Sequence, residues 1–209
     1  MSRARESDGG TRQRVRIIGG RWRRRQLAFP DLSDLRPTAD RVRETLFNWL
    51  GQDLTGLDCL DLFAGSGALG FEAASRGARR VVLVEQERAA VRALQDNARL
   101  LGATELQVIH ADAQRWLERA PAAGAEFDVV FLDPPFRLGL LPGLLARVRP
   151  HLREGGCIYV ESPAVSSWAP DAAWTVLRQA RAGAVDYRLV GLAATGDGQH
   201  PANPDTLAA

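Results

Sequence analysis

From residue 57 onward, short apolar runs alternate with amphipathic stretches in a regular order. Strands are predicted at 57–63, 80–85, 106–111, 127–132 and 157–161. The segments 68–75, 88–101, 113–120 and 140–152 carry helical spacing, with Gly77 and Gly102 as stops after the first two. Strands that alternate with helices imply right-handed crossovers and a parallel sheet. Two further runs, 174–180 and 185–192, flank Arg181-Ala182-Gly183 and read as a closing antiparallel hairpin. Upstream, 15–18 and 22–29 flank Gly19-Gly20 and suggest a two-stranded hairpin with a glycine turn. A helix to about Leu50 follows, with Thr38 as its cap and Asp40 in its first turn; Val42, Leu46, Trp49 and Leu50 share one face of it. The whole reads as an α/β doubly wound, Rossmann-like domain with a mostly parallel seven-stranded sheet. Residues 14–50 form a small hairpin-and-helix extension, 51–192 the main domain, 1–13 a disordered Arg-rich arm and 193–209 a loose tail.

A chain of 209 residues suits one such domain. No apolar run is long enough to span a bilayer, and the N-terminus lacks the apolar core of a secretory signal. Cys59 and Cys157 each sit in an apolar run and read as buried free thiols of a reducing compartment, so a cytoplasmic protein is expected. The three histidines are scattered, and nothing resembles a metal-ligand cluster. With no long apolar patch beyond the core, the chain reads as a monomer.

The net charge of +2 hides an asymmetry. Residues 1–50 hold twelve Arg against six acids, while the remainder holds fifteen Arg against nineteen acids; there is no Lys. Arg21, Arg23, Arg24 and Arg25 cluster around Trp22. Such a segment suits a polyphosphate backbone, and Arg also stacks on bases. Alone it fits a solvated arm equally well.

The first strand of the α/β region leads into Asp61-Leu62-Phe63-Ala64-Gly65-Ser66-Gly67-Ala68-Leu69-Gly70, which opens a helix. Glycines there let the backbone approach a ligand, and the helix start offers free N–H groups. Glu85, at the end of the second strand, is placed to accept two ribose hydroxyls. The Gly65, Gly67, Gly70 spacing superficially fits a dinucleotide site. Asp61 in the loop suits a cationic aminoacyl cofactor better than a pyrophosphate, which points to S-adenosylmethionine. Asp112, after the third strand, can accept an adenine amino group, cap the next helix, or do both.

Asp133-Pro134-Pro135-Phe136 follows the fourth strand. Two prolines fix the backbone and withhold two donors, so a carboxylate and carbonyls face the cleft as acceptors. The amino group of a base needs this, because its lone pair is delocalised into the ring. Hydrogen bonds from its N–H groups to Asp133 and the Pro134 carbonyl hold the nitrogen for an in-line displacement, and Phe136 can stack on the ring. No covalent intermediate is needed.

The glycine loop together with Asp133-Pro134-Pro135-Phe136 resembles the class I amino-methyltransferases. The segments 14–22 (RVRIIGGRW), 36–50 (RPTADRVRETLFNWL), 61–76 (DLFAGSGALGFEAASR), 133–141 (DPPFRLGLL), 158–162 (IYVES) and 186–189 (DYRL) extend the match. They resemble the bacterial RsmD family, whose members methylate N2 of guanine 966 in 16S ribosomal RNA. The resemblance implies S-adenosylmethionine as cofactor and 16S rRNA or the assembling small subunit as partner. It implies that Asp61, Gly65, Gly67, Glu85 and Asp112 bind the cofactor with their neighbours Phe63, Ala64, Ser66 and Ala113, and that Arg36 and Thr38 lie over its methionine end. Asp133, Pro134, Pro135 and Phe136 would hold the guanine, and Arg21 to Arg25 would meet the RNA. The competing readings are a DNA adenine-N6 or cytosine-N4 methyltransferase, for whose target-recognition region the chain has little room, and a non-catalytic RNA-binding protein of the same fold.

Overall fold

The computed structural model describes residues 12–31, 38–119, 126–135, 140–166 and 168–193. The arm before residue 12, Arg36, Phe136 and the tail beyond 193 lie outside the described residues.

Strands β1 (Arg12–Arg16) and β2 (Gln26–Pro30) pair antiparallel, and helix α1 (Asp40–Trp49) follows. The main sheet holds β3 (Asp58–Asp61), β4 (Arg80–Glu85), β5 (Leu106–His110), β6 (Phe127–Leu132), β7 (Leu152–Pro163), β8 (Trp174–Ala182) and β9 (Val185–Leu192). Between them run α2 (Ala68–Ser75), α3 (Arg88–Leu101), α4 (Ala113–Leu117) and α5 (Leu141–Val148). The strand order is β5-β4-β3-β6-β7-β9-β8. The first five strands are parallel, and β9 enters antiparallel between β7 and β8. This is the predicted doubly wound sheet with its closing hairpin.

Both faces of the sheet are covered, so its strands read as continuous apolar runs. One face, with Cys59, Val81, Leu83, Phe131 and Tyr159, packs under α1, α2 and the β1–β2 pair. The other, with Leu60, Val82, Val84, Val130 and Ile158, packs under α4 and α5. Both cysteines are buried free thiols. No described helix is long and apolar enough to cross a membrane.

The structure corrects several expectations near the N-terminus. β1 and β2 are joined by a nine-residue connection, 17–25, instead of a two-residue glycine turn. Gly19 and Gly20 serve close approach to α2: a Cβ on Gly20, at φ +71°, would overlap the carbonyl oxygen of Ser75. Glu72 of α2 accepts hydrogen bonds from the N–H groups of Ile18 and Gly19 (both 2.7 Å), and the Arg21 N–H donates to the Ser75 carbonyl (2.8 Å). Thr38 does not cap α1; Ala39 holds that position without a side-chain bond. The buried face of α1 is Val42, Arg43, Leu46 and Phe47, with Leu50 beyond its end. Trp49 sits at the rim and stacks on Tyr187 at 5.3 Å. Arg43 is tolerated inside because Glu72, Asp40 and the Arg16 carbonyl take its donors.

Candidate active site

The carboxyl ends of β3, β4 and β6 lie side by side at one edge of the sheet, the edge where such sheets bind ligands in a cleft. The glycine loop leaves β3 and enters α2 there. Gly65 (φ +51°) and Gly67 (φ +79°) adopt the left-handed conformation that bends it. Gly70 lies so close to β4 that a Cβ would overlap Leu83. The glycine pattern is thus explained by a tight turn and by helix-on-strand packing. The Gly70 N–H donates to Asp61 Oδ2 at 3.0 Å, which ties the acid to the helix start. Ala64 and Ser66 are buried in the loop.

Glu85 ends β4 beside this loop. Its Oε2 accepts the Gly65 N–H (2.8 Å) and its Oε1 the Glu87 N–H (2.7 Å), so the carboxylate is held in one orientation with lone pairs to spare. Asp112 caps α4, accepting the Arg115 N–H at 2.9 Å through Oδ1, which leaves Oδ2 for another donor. Ala113 is buried behind it.

Asp133 follows β6 directly, with Pro134 and Pro135 beyond it. Thr38, brought over from the start of α1, donates its hydroxyl to Asp133 Oδ2 at 3.4 Å. This explains why Thr38 does not serve as a cap. A further acid, Glu161 on β7, joins the group: Tyr159 donates its hydroxyl to Glu161 Oε1 at 2.8 Å. Sequence reasoning noted Glu161 only inside the IYVES segment and gave it no role. Its signal is an acid that ends an apolar strand beside the one carrying Asp133.

The electrostatics of the cleft follow from burial. Desolvation pushes the Asp61 carboxyl up to about 7, against the pull of the Gly70 N–H and with help from the Glu85 charge. Asp133 is pushed well above the ordinary carboxylate range, first by desolvation and then by the charges of Glu161 and Asp61; the Thr38 hydroxyl opposes this. Glu161 is raised by desolvation against the hydroxyls of Tyr159 and Thr38. Among the described residues no basic side chain pairs with any of the three. Burial also raises both thiols, Cys157 to about 12, so neither is a nucleophile at neutral pH.

The Arg21–Arg25 cluster is not brought to this cleft. It lies in the 17–25 connection at the far end of α2, whose eight residues span about 12 Å. Arg23, Arg24 and Arg25 are exposed there. Trp22 is buried against Phe71 at 6.5 Å, with the Arg21 guanidinium 4.2 Å from its ring centre. Trp22, grouped in the sequence with the arginines expected to meet RNA, is not exposed with them: its ring anchors the connection. Arg21 is also paired with Glu105.

Comparison with known proteins places this arrangement. The model of the family described as Conserved hypothetical protein 95 matches residues 15–191. "Ribosomal RNA small subunit methyltransferase D" of Escherichia coli is 44% identical over 88% of this chain and 92% of its own length. The chain belongs to the RsmD family. The Haemophilus influenzae member of the same name is 40% identical over 84% of this chain and 92% of its own length. Among solved structures, the Escherichia coli protein yhhF, described as a candidate methyltransferase, has a TM-score of 0.79 and 41% identity, covering 88% of this chain and all of that one. The seven-stranded sheet is therefore the frame of an RsmD-family methyltransferase.

Proposed function

We propose that this protein transfers a methyl group from S-adenosylmethionine to the exocyclic N2 amino group of a guanine in 16S ribosomal RNA, during small-subunit maturation. The observation that carries the reading is the set of acids, Asp61 buried and Asp133 half-buried, at the strand ends beside the glycine loop with no cation among the described residues. A cofactor bearing a sulfonium and an ammonium fits that set, and an anionic pyrophosphate does not. Relatives named for small-subunit rRNA methylation support the substrate class.

Asp61 would face the aminoacyl end of the cofactor, Glu85 the ribose hydroxyls and Asp112 the adenine amino group. Arg36 and Thr38 would lie over the methionine end, and Phe63, Ala64, Gly65, Ser66, Gly67 and Ala113 would line the pocket. When bound, S-adenosylmethionine supplies an electrophilic methyl on sulfur. The chain's own part is positioning. Asp133 Oδ1 and the Pro134 carbonyl accept the two N–H groups of the amino nitrogen and hold its lone pair toward that methyl. Thr38 fixes the Asp133 carboxylate through Oδ2. After transfer the nitrogen carries one proton too many, and Asp133, whose affinity for protons is raised, receives it. Phe136 would stack on the ring. The pocket cannot reach a base inside a helix, so the guanine must be unpaired or flipped out.

The test is tritium transfer from labelled S-adenosylmethionine to 16S rRNA, to small subunits from a strain lacking the enzyme, and to DNA, followed by nucleoside digestion. N2-methylguanosine from RNA or subunits alone is the expected product. Label in methyladenine or methylcytosine of DNA would replace the substrate while keeping the chemistry. Cofactor binding without transfer to any of the three would favour a binding protein.

A further inference from the structure

Three of the buried acids among the described residues are paired with arginine. Glu72 is paired with Arg43 and Arg76, Asp58 with Arg79, Arg80 and Arg153, and Asp186 with Arg181 and Arg188. Glu161 is 6% exposed, and its contacts among the described residues are hydroxyls: Tyr159 at 2.8 Å and Thr38. A carboxylate is a costly way to satisfy a tyrosine hydroxyl inside a protein, and a backbone carbonyl would serve as well. Its position is specific. β6 and β7 are neighbouring parallel strands with Leu132 opposite Val160, so Asp133 and Glu161 stand next to each other at the mouth of the cleft. Thr38 donates to Asp133 and lies near Glu161, and the Glu161 charge helps raise Asp133.

We infer that Glu161 is a specificity-determining residue: its carboxylate accepts the ring N1–H of guanine while Asp133 accepts the adjacent exocyclic N–H. The inference rests on the guanine reading above and deepens it. Guanine presents two neighbouring donors on one edge, N1–H and the 2-amino group. Adenine sets its amino group beside the N1 lone pair, and cytosine sets its own beside the N3 lone pair. Two adjacent carboxylate acceptors match the first pattern and repel the other two, because a lone pair would face a buried anion. The same pair of residues that positions the nucleophile thereby rejects the other amino-bearing bases. Tyr159 is a positioning residue that keeps the Glu161 carboxylate in place, as Thr38 is for Asp133.

The experiment compares single-turnover methylation of two rRNA substrates, one with guanine and one with 2-aminopurine at the target, by the native protein and by Glu161→Gln. 2-Aminopurine keeps the 2-amino group but has a lone pair at N1. The native protein is expected to favour guanine by about tenfold to a hundredfold or more, the effect of one hydrogen bond to a charged group. Glu161→Gln can turn an amide N–H toward N1, so its rate on guanine falls about tenfold to a hundredfold while its rate on 2-aminopurine holds or rises. Equal slowing on both substrates would reduce Glu161 to structural support and overturn the inference. Equal rates for the native protein on both would overturn it without any variant, so it stays testable if Glu161→Gln misfolds. Failure of the native protein to methylate either RNA would remove the guanine reading itself, a separate outcome.

Discussion

Gly20 and Asp61 are residues whose surroundings dictate measurable behaviour. At Gly20 the backbone has φ +71° and runs so close to α2 that any Cβ overlaps the Ser75 carbonyl, which cannot move without unwinding the helix end. Gly20→Ala should therefore lower stability by about 1–3 kcal/mol, read as a lower urea midpoint with an unchanged slope. Asp61 makes a prediction about pH. Its carboxyl holds its proton up to about 7 in the folded chain, against 3.8 ordinarily. Between those values the folded state binds more protons than the unfolded one, so the contribution of Asp61 to the stability of the cofactor-free protein should fall as pH rises toward 7. Asp133 and Glu161, also raised, act in the same direction. A cationic cofactor favours the ionised acids, so its binding should expel protons and tighten as pH rises through about 7. Calorimetric titration in buffers of different ionisation enthalpy measures that release. Asp61→Asn should weaken binding and reduce the pH dependence; an unchanged profile would move the cationic end of the cofactor away from Asp61. The role of Asp133 is tested by Asp133→Ala, expected to retain cofactor binding while losing transfer by roughly 10²–10³-fold.

Helix α2 does more than follow the glycine loop. All eight of its residues are buried, and Glu72 within it gathers Arg43 of α1, Arg76 and the N–H groups of Ile18 and Gly19. Glu72→Ala would strand two buried guanidinium groups and should cost about 3–5 kcal/mol, with loss of hydrogen-exchange protection at Ile18 and Gly19. Retained protection would show that apolar packing alone docks the 17–25 connection. The contrast between α2 and the N-terminal extension explains what could be read in the sequence. The α/β alternation, Gly65 and Gly67, Glu85 and Asp133 were legible because each depends on local periodicity, turn chemistry or a position at a strand end. The purpose of Gly19-Gly20, the burial of Arg43 and Trp22, and the contact of Thr38 with Asp133 were not. Each is decided by a residue tens of positions away: Ser75, Glu72, Phe71, Asp133. Glu161 was hidden for the same reason, since its meaning lies in the register between β6 and β7.

For the molecule as a whole, charge and chemistry sit at different places. The cleft at the strand ends is acidic and suits a cation, while Arg23, Arg24 and Arg25 project from the opposite end of α2, about 12 Å away. An RNA that places a base in an acidic cleft needs its phosphates held elsewhere, and this exposed basic cluster can hold them. Arg21 is a different case, because its pairing with Glu105 and its place over Trp22 tie it to the fold. Neutralising Arg23, Arg24 and Arg25 together should weaken RNA binding regardless of sequence. It should also flatten the plot of log affinity against log salt, by up to about one unit for each phosphate that is no longer neutralised. The same change should raise KM for RNA, whereas Asp133→Ala should act on kcat, because in the proposed reading one set binds the backbone and the other holds the reacting nitrogen. An unchanged salt slope would place the RNA backbone on another face of the molecule. The buried acids would then remain as the cofactor site, with the path of the RNA to be sought among the other arginines of the first fifty residues.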